Sequence, residues 1–82
     1  MAQANDRTQE EYGQAVAYEV GGTFIDYDSF MQESLISTPL SENEFIRAAL
    51  DVAEDFVDDP DEYYDVRIVR EGNGEYSVSL LV

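Results

Sequence analysis

The sequence predicts an α+β fold, an antiparallel four-stranded sheet made of two hairpins with one main helix packed on one face. Three observations predict it. Apolar residues alternate on both sides of two glycine-rich turns, their parity closes only in particular registers, and a capped segment of helical periodicity lies between the two pairs. A helix laid across one face of an antiparallel sheet is the simplest way to bury both apolar surfaces.

Residues 1–11 are polar without a sustained apolar pattern, and the default expectation is a flexible N-terminal arm followed by a single α+β domain over 12–82. Thr8-Gln9-Glu10-Glu11 resembles a capping box, but Gly13 weakens a helix there and the following stretch alternates better than it spirals. A strand is therefore expected, with Val16, Tyr18 and Val20 on one face. A two-residue Gly21-Gly22 loop would pair Val20 with Thr23, Tyr18 with Ile25 and Val16 with Tyr27, placing the apolar residues of both strands on one side. In residues 28–40, Phe30, Met31, Leu35 and Ile36 fit either a short helix or a continued strand, and Pro39 ends whichever forms.

The next segment carries the clearest helix signal. Ser41 with Glu44 three residues later forms a capping box, and Phe45, Ile46, Ala49, Leu50, Ala53, Phe56 and Val57 fall in one stripe, ending before Pro60. After it, Val66 and Ile68 alternate before Gly72-Asn73-Gly74, and Tyr76, Val78, Leu80 and Val82 alternate beyond. A two-residue loop would set Ile68 opposite Ser79 and split the apolar face. A three-residue loop pairs Ile68 with Val78 and Val66 with Leu80, so the longer turn, with a left-handed Gly74, is expected. Tyr18, Tyr27, Tyr64 and Tyr76 sit in the apolar phase of these strands and are expected to pack in the core or at its edge.

Composition excludes several chemistries. The 82 residues include no cysteine and no histidine, and all four basic residues, Arg7, Arg47, Arg67 and Arg70, are arginine. Thiolate chemistry, cysteine-ligated metal and histidine-activated serine are thereby absent, and about 80 residues rarely build the deep cleft that a carboxylate pair needs to cleave glycosides. The expectation is no enzyme, with no catalytic residue and no cofactor. Asp58-Asp59-Pro60-Asp61-Glu62 and Asp26-Tyr27-Asp28 are rich in oxygen donors, yet neither has the ligand spacing, glycine and final glutamate of a calcium-binding loop, so no metal is expected. No apolar run reaches the roughly 18 residues of a membrane span and the N-terminus lacks a signal-peptide pattern, so a cytoplasmic chain is expected.

Charge carries the functional expectation. Nineteen acidic residues against four basic ones give a formal net charge of -15. Such a chain repels nucleic acid and anionic membranes and attracts basic proteins. Between Asp51 and Asp65 stand Asp51, Glu54, Asp55, Asp58, Asp59, Asp61, Glu62 and Asp65 with no base among them. Like charges three or four apart on a helix cost about 0.2–0.5 kcal/mol per pair, and anions at a helix C-terminus about 0.3–1 kcal/mol each. With Glu44 added, these nine carboxylates form the expected partner-binding set; the expected partner is a basic, nucleic-acid-binding protein, and the chain itself is expected to be a monomer or homodimer.

In size, charge and lack of catalytic residue types, with the Asp51 to Asp65 run, the chain resembles the small acidic proteins that phages use as DNA mimics, including anti-CRISPR and anti-restriction inhibitors. That resemblance implies occlusion of a nuclease or surveillance complex by the acidic residues named. Two alternatives predict similar composition. A small interaction domain of a salt-loving organism would also be acidic and free of lysine, and an immunity or antitoxin-like inhibitor would direct the same carboxylates at a basic toxin.

Overall fold

The computed structural model of the chain describes residues 3–57 and 63–82. The elements run α1 (Asp6–Glu19), β1 (Thr23–Asp28), β2 (Glu33–Ser37), α2 (Glu42–Glu54), β3 (Asp65–Gly72) and β4 (Glu75–Leu81). The strands form one antiparallel sheet in the order β1-β2-β4-β3, so the two hairpins meet along β2 and β4. β2 and β3 consequently run parallel, and α2 is the crossover between them, passing over β4. No helix among the described residues is long and apolar enough to cross a membrane.

The α+β class, the four-stranded sheet and the covering helix are as expected, but a second helix joins the first. Where the N-terminal arm and a first strand were expected, Asp6–Glu19 is helical, capped by Asn5, whose side chain accepts from the Thr8 N–H at 2.9 Å. Its inward positions are Gln9, Tyr12, Gly13, Val16 and Ala17, a helical spacing in which an amide and a glycine break the apolar pattern. Gly21-Gly22 is the end of this helix, not a hairpin turn. Gly21 has φ +62°, its N–H donates to the Tyr18 carbonyl, and that of Gly22 donates to Ala17, the two bonds of a Schellman cap.

The first hairpin is therefore displaced along the chain, joining β1 to β2 through residues 29–32, and Ile25 is the extra residue of a bulge. The unreadable stretch 28–40 holds that turn and β2. Tyr18, read as a core strand residue, lies on the outside of α1 and is 87% exposed.

The remaining elements follow their sequence signals closely. Ser41 caps α2 through the Glu44 N–H, and the Glu44 carboxylate returns to the Ser41 N–H at 3.2 Å. Asp55 is the C-cap, so the helix stops short of Asp58. Its buried residues are Phe45, Ala49, Val52 and Ala53, which rotates the inward stripe away from Leu50. In the second hairpin Ile68 pairs with Val78 and Val66 with Leu80, as parity requires. The turn is however the two residues Asn73-Gly74, not the expected three, because Gly72 pairs with Glu75 and the odd residue is absorbed as a bulge at Glu71; Gly74 has φ +72°, the expected left-handed conformation.

Both helices cover the same face of the sheet. Tyr76, Val78 and Leu80 of β4 and Ile36 of β2 meet Tyr12, Val16 and Ala17 of α1 and Phe45, Ala49 and Ala53 of α2 in one cluster. Phe45 stacks on Tyr76 at 4.7 Å, and the buried Tyr12 hydroxyl donates to the Ala49 carbonyl at 2.7 Å, tying the helices together. Burial pushes the Tyr12 phenol above its ordinary range, so it stays a hydrogen-bond donor. No helix among the described residues lies on the opposite face of the sheet.

Candidate functional site

α2 turns its apolar side to the sheet because Phe45, Ala49, Val52 and Ala53 recur at helical spacing, and this leaves Glu42, Glu44, Arg47, Asp51, Glu54 and Asp55 on the outside, all exposed. Of the predicted set, Glu44, Asp51, Glu54 and Asp55 thus share the outer side of one helix, and Asp65 is exposed at the start of β3. Asp58, Asp59, Asp61 and Glu62 lie outside the described residues. Because the helix ends at Glu54, the regular stripe runs only from Glu44 to Asp55, about 16 Å at 1.5 Å per residue.

These carboxylates differ in their local chemistry. Glu44 accepts from both the Ser41 hydroxyl and the Ser41 N–H, and with the nearby Arg47 charge these bonds hold its carboxyl below the usual range. The Tyr64 phenol has its pKa raised by burial first and then by the Glu54 carboxylate and the Asp51 charge. Asp65 accepts from the Val66 N–H at 2.7 Å. Arg47 is the one base on the face. Among the described residues the only ion pair is Arg7 with Glu11, on α1, so no carboxylate of α2 is paired with a cation there.

A second acidic set lies on the open face of the sheet, where Asp26 and Asp28, noted in the sequence only as oxygen donors, are joined by Glu33 and Glu71, which the sequence did not group with them. Asp26, Asp28, Glu33 and Glu71 surround a shallow concavity floored by Leu35 and Ser77. Register makes it. Asp26 pairs with Leu35, Asp28 stands opposite Glu33, and Leu35 is level with Ser77 on β4. Like charges directly across a strand pair oppose each other, so this arrangement is destabilising in the same sense as that on α2. The Ser77 hydroxyl donates to Glu71 at 3.0 Å. Alternation of Asp26 with Asp28 was the available signal, but it required knowing that these residues form an edge strand.

The arrangement offers binding by charge. Its ionisable members are carboxylates with one guanidinium, exposed on convex or shallow surface, and among the described residues no group of three or more side chains converges to hold a metal ion. The two acidic surfaces face opposite ways, one outside the helical layer and the other on the bare sheet. Comparison of the chain with family models, with curated proteins and with solved structures finds no match.

Proposed function

We propose that the chain is a non-catalytic acidic binding protein that occupies the nucleic-acid-binding surface of a basic protein by charge mimicry of DNA or RNA, in the manner of anti-CRISPR or anti-restriction inhibitors. One observation carries the reading: the exposed outer side of α2 holds Glu44, Asp51, Glu54 and Asp55 with no cation paired to them among the described residues. Carboxylates gathered at a helix C-terminus oppose its macrodipole, and a cationic partner would relieve that cost. The helical stripe carries about one charge per 4 Å against one per roughly 1.7 Å in duplex DNA, so Asp65 and further surface must contribute to the mimicry.

Replacing Asp51 and Asp55 with Asn and Glu54 with Gln together should weaken partner binding at low salt by about tenfold or more, while slightly stabilising the free domain. The measurement is a pull-down from the native host with both forms, followed by competition of the captured protein with DNA and RNA. Partners that bind no nucleic acid, or that are held equally by the triple variant, would refute mimicry.

Salt adaptation is favoured by a separate observation, the spread of acid over every layer: Asp6, Glu10, Glu11 and Glu19 on α1, the outer side of α2, and the bare face of the sheet. Thermal unfolding at increasing sodium chloride separates the two. Screening of like charges, with a Debye length of about 10 Å at 0.1 M, should raise the midpoint under either reading. A fold already complete in dilute buffer with a modest gain supports mimicry, whereas a requirement for molar salt supports adaptation.

A further inference from the structure

The turn between β1 and β2 presents Phe30 to solvent at 91% exposure, with Met31 beside it and Ile25 of the same hairpin also exposed. A lone exposed apolar residue calls for no explanation, but this turn is held in place from several sides. The Asp28 carboxylate accepts from the Phe30 and Met31 N–H groups at 2.9 and 3.1 Å. Gln3 donates to the Met31 carbonyl at 2.9 Å, and Ser79, from the central strand, donates to the Gln32 carbonyl at 2.9 Å. Gln32 itself sits at φ +54°, a left-handed conformation unfavourable for a residue with a side chain, and its amide reaches Asp6. An aromatic side chain on so constrained a turn is preorganised, losing little backbone freedom when it is buried by something else.

We infer that Phe30, with Met31, is an anchor that enters an apolar pocket on a basic protein. The occupant is identified by charge. Asp26, Asp28 and Glu33 lie on the same hairpin at the foot of the turn, so a pocket receiving Phe30 would have to be rimmed by arginine or lysine. A second copy of this chain, at -15, is repelled, as are nucleic acids and anionic membranes. The inference rests on the partner class proposed above and adds to it a requirement that charge mimicry does not contain, an apolar pocket beside the basic surface.

The test uses the full chain, isotopically labelled for NMR, and two synthetic peptides of equal positive charge, one mixing arginine with leucine and the other arginine with serine. The arginine–leucine peptide should bind more tightly and shift resonances around residues 26–33, and Phe30→Ala should weaken it by about tenfold or more without changing the thermal midpoint. Equal binding of both peptides, or equal affinity of Phe30→Ala, would overturn the anchor. So would self-association, or binding to phosphatidylcholine vesicles, that Phe30→Ala abolishes. If the α2 triple variant loses its captured partner while Phe30→Ala keeps both partner and peptide, the anchor fails and mimicry stands. If Phe30→Ala weakens the peptide but the captured partner binds no nucleic acid, mimicry fails and the anchor stands.

Discussion

Gly13→Ala should destabilise the domain by about 1–3 kcal/mol, although it exchanges a poor helix former for the best one inside α1. Helix propensity alone favours alanine by about 0.8–1.0 kcal/mol. Tertiary contact opposes it. A Cβ at position 13 would fall on the Cβ and Oγ of Ser34 and within 3.2 Å of the Phe24 ring. Ser34 is fully buried in β2, a central strand hydrogen-bonded on both sides, so the strand cannot retreat without disturbing β1 and β4. The helix must move instead, pulling Tyr12 and Val16 from the core. Each kcal/mol lost lowers the melting temperature of a domain this size by roughly 4–8 °C, so calorimetry resolves the sign readily. Gly13→Val should be worse. Combining Gly13→Ala with Ser34→Gly removes both clashing atoms and should recover part of the loss, giving a coupling energy in a double-mutant cycle. A stabilised Gly13→Ala would mean that α1 does not approach β2 as closely as described.

The same residue explains what the sequence concealed. The inward face of α1 is helical in spacing, but Gln9 and Gly13 occupy two of its positions, so the pattern never reads as apolar. The surviving signal, Val16, Tyr18 and Val20, alternates by coincidence. Gly21-Gly22 was legible as a site of positive φ and illegible as to purpose, since a Schellman cap and a hairpin turn both ask for glycine there. Where several local signals agreed, the reading held: the Ser41 cap, its Glu44 partner and an apolar stripe of helical period all point to one helix, and parity alone settled the β3–β4 register. The candidate site divides in the same way. Carboxylates on α2 could be placed from periodicity, whereas those on the open face of the sheet come from Asp26, Asp28, Glu33 and Glu71, residues on three strands that only register brings together.

Gln9→Glu should make the stability of the domain depend on pH in a way the native chain does not share. Gln9 is 1% exposed, and its side-chain amide donates to the Leu80 carbonyl at 2.7 Å while accepting from the Leu80 N–H at 2.8 Å. Leu80 lies beyond Val78, the last residue of β4 that β2 pairs with, so the amide takes the place of a strand residue that is not there. The Ala4 N–H supports it with a further bond to the same carbonyl at 3.2 Å. A protonated glutamic acid reproduces both bonds, donating through its O–H and accepting through its carbonyl. An ionised one cannot, because it sets a charged oxygen against the Leu80 carbonyl with almost no access to water. Burial therefore raises the folded-state pKa of the introduced carboxyl above the unfolded value of about 4.3. Below that pH both states are protonated and the variant should match the native chain. Stability then falls as pH rises, by about 1.4 kcal/mol per unit, until the folded pKa is passed. If burial raises that pKa to about 7 or beyond, the loss at neutral pH approaches roughly 4 kcal/mol, a large part of what about 0.05–0.15 kcal/mol per residue allows a chain of 82. Gln9→Leu is the control. It strands the Leu80 N–H at a cost of about 1–3 kcal/mol that pH does not alter. Both effects are measured by urea unfolding of the three proteins from about pH 4 to about pH 8, compared pairwise at each pH so that the shared titration of the surface acids cancels. A Gln9→Glu difference that stays flat across that range would show that the bridge from α1 to β4 does not depend on the amide's donor.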